Sequence, residues 1–251
     1  MTRVYAIGDV HGHLDKLIAA HALIAEDRAR CGDATAPVVH VGDLVDRGPD
    51  SKGVIQYLMD GQARGESWVV LKGNHDRMAA MFLRDYPMVD HMLLHDHNWL
   101  HPRIGGVETL ASYGVEVPEG IRTYQLHAQA LAAVPQAHRR FLDTLPCLHR
   151  IDDLCFVHAG IRPGVALEDQ VEDDLTWIRQ EFHNSDADHG PLIVHGHTPV
   201  DVVTHYGNRL NIDTGAGHGK DIGVVVIEGR EAWGLTGEGR QSVKGCSYSA
   251  A

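Results

Sequence analysis

Apolar residues recur along this chain in two rhythms. The runs "RVYAI", "PVVHV" and "SWVVL", at 3–7, 37–41 and 67–71, are almost continuously apolar, as strands buried on both faces must be. Each gives way to glycine and polar residues, and then to a segment with helical spacing. "LDKLIAAHALIAEDRAR" keeps Leu14, Leu17, Ile18 and Ile24 near one face, and "SKGVIQYLMDGQ" does so with Val54, Ile55, Leu58 and Met59. "RMAAMFLRD" follows the third run, with Met78, Met81 and Phe82 as its core face. Strands alternating with helices imply βαβ units and a largely parallel sheet, whose ligands collect beyond the carboxyl ends of the strands.

The pattern loosens from about 86 to 130, where "GG" and "SYGVEVPEG" mark turns; this stretch reads as a His-rich cap insertion over the site. "PQAHRRFLDTLP" is a helix opened by Pro135 at its first position. The last third is β-rich: "CLHRI", "DLCFVHAG", "PLIVHGHTPV", "DVVTHY" turning at Gly207-Asn208 into "RLNIDTG", then "IGVVVIEG" and "EAWGLT". Such close spacing predicts hairpins in a second, mixed or antiparallel sheet. Residues 1–236 thus form a single domain, and 237–251 a flexible tail.

Composition narrows the function. A formal net charge of -12 argues against a nucleic-acid binder or an anionic-membrane binder, each of which needs a basic face. No apolar run approaches a membrane span, and "MTRVYAIGDV" lacks the apolar core of a signal peptide. Cys31, Cys147, Cys155 and Cys246 are scattered, so reduced thiols in a cytoplasmic protein are expected. The outlier is histidine, at 19 residues, the commonest metal ligand among side chains.

Chemistry gathers where strand-like runs end: "GDVHG" at 8–12, "GDLVDRG" at 42–48, "GNHD" at 73–76, "VHAG" at 157–160 and "HGHTP" at 195–199. Singly each is an ordinary loop. Jointly they bring carboxylates, an amide and imidazoles to one sheet edge, a donor mixture that suits borderline first-row divalent ions.

These five clusters, in this order, resemble the phosphoprotein phosphatase branch of the dinuclear metallophosphoesterases, particularly the small bacterial and phage serine/threonine phosphatases. The likeness runs from Gly8 to about Asp213. It implies an α/β fold, a β-sandwich of two mixed sheets flanked by helices. It implies that Asp9 and His11 hold a first divalent ion, that Asp43 bridges to a second, and that Asn74, His158 and His197 complete the second site. Manganese is the expected metal, with iron and zinc compatible. The resemblance makes His75 the acid that protonates the leaving oxygen, with Asp46 orienting its imidazole. Arg47 can clamp phosphate oxygens in bidentate fashion. A second arginine is implied downstream; "DLTWIRQEF" offers Arg179, with Arg162 of "HAGIRPG" in competition.

Other tempting motifs read more plainly. His195 is a strand-end residue supporting the ligands, because aligning on Gly196 makes His197 the ligand and puts Pro199 where relatives carry a further histidine. His91 and His95 lack the Glu of a zinc helix and, with His97 and His101, belong to the cap surface. Asp213 reads as a turn carboxylate. "GAGHGKDIG" opens no helix and is no nucleotide loop. The expected function is a metal-dependent phosphomonoesterase, foremost a serine/threonine protein phosphatase, acting on a phosphorylated protein or small phosphoester. A symmetrical diadenosine tetraphosphate hydrolase shares several clusters, but usually has another residue before "RG" and GHW instead of "GHTP". A non-catalytic binding protein on the same fold should have lost a ligand, the acid or Arg47, and none is missing.

Overall fold

The computed structural model describes residues 2–245. The chain runs β1 (Arg3–Ile7), α1 (Leu14–Cys31), β2 (Val38–His40), α2 (Ser51–Ala63), β3 (Trp68–Val70) and α3 (Asn74–Phe82). Three helices follow, α4 (Gly106–Ser112), α5 (Thr123–Ala133) and α6 (Gln136–Thr144), then β4 (Leu148–Ile151) and β5 (Leu154–Val157). The remainder is α7 (Glu172–Trp177), α8 (Gln180–His183), β6 (Leu192–His195), β7 (Thr204–His205), β8 (Arg209–Asn211), β9 (Val224–Glu228), β10 (Glu231–Thr236), β11 (Gly239–Ser242) and β12 (Lys244–Gly245).

Two six-stranded mixed sheets result, ordered β11-β10-β9-β1-β2-β3 and β12-β7-β8-β6-β5-β4. Alternation along the central strands β1, β2, β5, β6 and β9 explains their continuous apolar runs, since both faces of each meet an apolar layer. In β1, Tyr5 and Ile7 pack under helices with Leu17, Ile24 and Val54, while Val4 and Ala6 point between the sheets. There they meet Phe156, Val194, Leu210 and Ile227. On the far side, Cys155, Val157 and Ile193 pack against Leu175 and Phe182. The fold is a β-sandwich flanked by helices. Among the described residues, no helix is long and apolar enough to cross a membrane.

Several expectations change. Ile18 is 47% exposed while Leu17 is buried; adjacent helical residues lie about 100° apart, so only one can face the sheet. α3 starts at Asn74, earlier than expected, because Asp76 accepts the Gly73 N–H at 2.8 Å and caps it. Pro135 is the residue before α6 rather than its first. The 86–130 stretch is a surface cap only over its first half. Leu110, Leu126 and Ala130 of α4 and α5 lie in the main helical core. β9 and β10 join the first sheet through antiparallel pairing of β9 with β1. Cys31 is exposed and Cys155 buried; these and Cys147 are free thiols, and Cys246 lies outside the described residues.

The expected frayed tail is ordered at least to Gly245, since β11 pairs with β10 and β12 with β7; residues 246–251 lie outside the described ones. β11 lays Arg240 over α1, where Nε and Nη2 donate to the two oxygens of Asp27 at 2.9 and 2.8 Å. Asp27 is 1% exposed, and Arg240 chiefly holds its carboxyl below the usual range. Arg240→Ala leaves a buried carboxylate with Tyr5 as its remaining strong donor. A loss on the order of 2 kcal/mol is expected, below the 3–5 of a fully buried pair. Because the folded-state pKa of Asp27 is depressed, this stabilisation is present above the unfolded carboxylate value and fades as pH falls through the folded one. Thermal melts from pH 7 to 3 should therefore show the gap between wild type and variant closing as the pH falls.

Candidate active site

The parallel neighbours β1, β2 and β3, and β5, β6 and β8, all end at one edge of the sandwich. The loops leaving those ends are forced close. A side chain on Gly73 would place its Cβ 2.2 Å from Asp43 N, and one on Gly42, at φ +101°, would meet Gly73 N at 2.5 Å. Only glycine lets the second and third clusters pack together.

The non-glycine residues with positive φ among the described ones are His11, Asp43, Asp46, Arg47, His197 and, in the β4–β5 turn, Asp152. Left-handed backbone costs a bulky residue about 1–3 kcal/mol and persists where surroundings impose it. Five of these six strained positions are expected site residues. Four of the five, His11, Asp43, Arg47 and His197, line a cavity of about 220 Å³ together with Asp9, Asn74, His75, Arg179 and Asp213, among others.

Inside it, two donor clusters share Asp43. On one side His158 Nε2 lies 3.3 Å from Asp43 Oδ1 and 2.9 Å from Asn74 Oδ1. His197 Nδ1 lies 2.9 Å from the same amide oxygen and 3.2 Å from His158 Nε2. On the other side His11 Nε2 lies 3.5 Å and His75 Nε2 4.0 Å from Asp43 Oδ2. Asp43, His158 and His197 form one group able to hold an ion, and His11, Asp43 and His75 another. Asp9 lines the cavity but stands apart from both groups, its two oxygens accepting the His197 backbone N–H at 3.3 and 3.2 Å.

The chemistry of this donor set fits divalent ions. His158 Nδ1 donates to Val41 O at 2.9 Å and His11 Nδ1 to Val45 O at 3.1 Å, so the Nε2 lone pairs face the cavity. Such backbone bonds are the usual means of fixing a ligating imidazole. Burial holds His158 down to about 4 and His11 and His197 well below the ordinary value, leaving the rings neutral. Burial, then Asp213 and Asp43, pushes Asp9 well up, and burial raises Asp43. Packed carboxylates with no compensating cation repel one another; a divalent ion relieves that cost.

His75 stands in the cluster with His11 and Asp43. Its Nδ1 donates to Asp46 Oδ2 at 2.7 Å, and its Nε2 faces Arg47 Nη2 at 3.1 Å. Asp46 also accepts from Trp99 Nε1 at 3.0 Å and Thr109 Oγ1 at 2.7 Å. Burial pushes this carboxyl up, while the converging donors pull toward the charged form. Arg47 Nη1 rests on His11 Nε2 at 3.0 Å, and Arg179 Nε on His197 Nε2 at 3.0 Å. Both guanidiniums lie at the cavity. Arg162 does not; it pairs with Asp174 at 2.7 Å, on a half-exposed side chain.

His195 is buried at the end of β6 with Arg209, outside the cavity lining. His91 pairs with Asp173 at the surface, and the His97 and His101 rings lie against each other at a tilt, centroids 3.8 Å apart. Sequence reasoning missed Trp99 and Thr109, which belong to no motif. It also missed that Asn211 and Asp213 clamp the His197 loop: Asn211 Nδ2 donates to Thr198 O at 2.8 Å, and Val200 N to Asp213 O at 2.9 Å. A larger groove of about 980 Å³ between α1 and β10–β11 is mostly aliphatic and holds no histidine or such cluster.

Comparison with known proteins agrees with this geometry. Residues 2–226 match the calcineurin-like phosphoesterase family. Serine/threonine-protein phosphatase 1 of Salmonella typhimurium is 27% identical over 90% of this chain and 92% of its own. An asymmetrical bis(5'-nucleosyl)-tetraphosphatase of Anoxybacillus flavithermus is 25% identical over 86% of each. The crystal structure of a cold-active protein-tyrosine phosphatase from a psychrophilic Shewanella covers 97% of this chain and 81% of that one, with a TM-score of 0.59 at 18% identity, and so shares the fold. With the match spanning most of its length and two buried clusters suited to divalent ions at its core, the chain belongs to the calcineurin-like phosphoesterases and is a hydrolase of phosphoric esters.

Proposed function

We propose that the protein is a phosphomonoesterase acting on phosphoserine and phosphothreonine in polypeptides, in the cytoplasm. The observation that carries this reading is the buried His75–Asp46 pair, braced by Trp99 and Thr109. A serine or threonine alkoxide is a poor leaving group and needs a proton delivered as it departs, whereas a nucleotide phosphate leaves with less help. The Salmonella relative, alike over nearly the whole chain, supports the same choice. Dinucleoside tetraphosphate hydrolysis is the second reading, supported by the comparable Anoxybacillus relative.

In this reading Asp9, His11 and Asp43 hold one ion, and Asp43, Asn74, His158 and His197 the other, with manganese the first metal to try. When bound, two such ions supply Lewis acidity, activating the attacking water and neutralising charge on the phosphoryl oxygens. The residues do the rest. Arg47 and Arg179 turn from the imidazoles onto the phosphate oxygens and fix the ester for in-line attack. Burial holds the His75 ring down to about 4, so it is neutral at rest with its Nδ1 proton on Asp46. As Arg47 turns from Nε2 onto the phosphate, that nitrogen takes a proton from water and passes it to the leaving oxygen.

Arg47→Ala is expected to lower kcat/KM by about 10²–10³-fold, the usual scale for one stabilising donor, with metal content near wild type. Arg179→Ala should act more weakly, and Arg162→Ala least, since it pairs with Asp174 away from the cavity. If Arg162→Ala proved the most damaging, the second phosphate arginine would be misassigned. Side-by-side kcat/KM values for a phosphoserine peptide, a phosphotyrosine peptide and diadenosine tetraphosphate test the substrate class. The first should lead, and a lead for the dinucleotide would select the second reading.

A further inference from the structure

One wall of the cavity has no part in the chemistry so far. It comes from the loop after β8, where Asp213, Gly215, Gly217 and His218 line the cavity. A Cβ on Gly217 would lie 2.5 Å from His11 Cδ2 and 2.7 Å from Arg47 Nη1, so the main chain here passes directly against the phosphate clamp. The loop is held there. Ala216 is buried in the main helical core, His218 N donates to Gly215 O at 2.9 Å, and Lys16 Nζ donates to Gly219 O at 3.1 Å. Most of the cavity lining is buried or half-buried; Arg179, Pro199 and His218 are the lining residues that are exposed, and so they mark its mouth. Arg179 rests on His197 and turns to the phosphate, and Pro199 has no polar group on its side chain. His218 is the polar group left over. Among the described residues its ring makes no hydrogen bond, ion pair or ring contact.

We propose that His218 is a specificity-determining residue, whose imidazole hydrogen-bonds the main-chain peptide groups beside the phosphorylated serine or threonine as the polypeptide leaves the cavity. The inference rests on the phosphoprotein reading of the site. The phosphoryl group lies inward, against the metal donors and Arg47, so whatever carries it must leave through the mouth, between Arg179, Pro199 and His218. In its neutral form an imidazole offers one donor and one acceptor, and the peptide groups on either side of a phosphorylated residue offer their complements. A simple alkyl or aryl phosphate has no such groups. Because the loop is already fastened, little freedom is lost when the contact forms, which favours a net gain in binding.

The test uses the manganese-loaded protein with a phosphoserine peptide, ethyl phosphate and p-nitrophenyl phosphate. The first two share an alkoxide leaving group and differ in the peptide groups around it, so their demand on His75 is the same. His218→Ala should lower kcat/KM for the peptide about fivefold, the scale of one neutral hydrogen bond. The loss should fall on KM with kcat held, as expected for an interaction made equally in the ground state and the transition state. The two small phosphoesters should show no comparable loss. His218→Gln, which keeps a donor and an acceptor, should recover most of the loss on the peptide. His218 is exposed, so both variants should melt like wild type. An equal loss on all three substrates would place His218 on the phosphoryl group and overturn the inference, as would an unchanged peptide KM in His218→Ala. Either result leaves the phosphoprotein reading standing. If wild type turns over p-nitrophenyl phosphate but not the peptide, the phosphoprotein reading itself falls, and this inference with it.

Discussion

Asp43→Asn is expected to reduce turnover on the order of 10³-fold or more, on every phosphoester substrate alike. Asp43 alone faces both clusters, with Oδ1 toward His158 and Oδ2 toward His11. Removing a supporting partner of a ligand already costs about 10–100-fold in metal affinity or activity, and a carboxylate shared by two ions should cost more. The asparagine keeps an oxygen for the His75 backbone N–H, which donates to Oδ1 at 3.0 Å, so local structure should survive. What it loses is the negative charge and the second oxygen. Asp9→Asn should be milder, because Asp9 serves one ion and an amide oxygen can still accept the His197 N–H. Elemental analysis beside kcat is the check: Asp43→Asn should lose both metals and Asp9→Asn chiefly one. Equal, mild losses would contradict the bridging assignment.

His75→Asn should depress hydrolysis of a phosphoserine peptide by about 10²–10⁴-fold, the usual contribution of general acid catalysis. Its effect on p-nitrophenyl phosphate should be far smaller, because p-nitrophenolate departs without a proton. Metal content should hold, although His75 Nε2 stands 4.0 Å from Asp43 Oδ2 and completes a potential ligand group there. Asp46→Asn should show the same pattern more gently, by misorienting the imidazole. The comparison belongs on the chemical step, since slow product release hides leaving-group effects. Equal slowing of both substrates with metals retained would make His75 a phosphoryl-positioning residue. Loss of metal would place it among the ligands.

The two effects bear on how much of this site can be read from sequence. Each chemical cluster is contiguous and ends an apolar run, and parallel pairing then carries those ends to one edge. Hence Asp9, His11, Asp43, Asn74, His158 and His197 could be named together; all but Asp9 meet in the two donor clusters, and Asp9 stands beside them on the cavity wall. The braces could not be named. Trp99 and Thr109 reach Asp46 from 53 and 63 residues away, through a segment with no motif. Sheet membership was equally hidden: "IGVVVIEG" and "EAWGLT" read as a hairpin whichever sheet they join, and only pairing of β9 with β1 decides it. The ordered β11 escaped notice because "GRQS" has no apolar periodicity; its place depends on pairing with β10 and on Arg240 meeting Asp27. For the second arginine, sequence offered Arg179 and Arg162 as rivals, and only packing separates them, one at the cavity and one on Asp174.

The central claim is that one carboxylate joins two metal sites whose joint occupancy drives phosphoester hydrolysis. The most direct measurement titrates verified metal-free protein with manganese, following bound metal by calorimetry and turnover of a phosphoserine peptide in the same preparation. The account predicts no turnover at zero metal, two bound ions per chain, and activity that rises with occupancy of the second. Full turnover in the metal-free preparation, or full activity at one ion per chain, would contradict it.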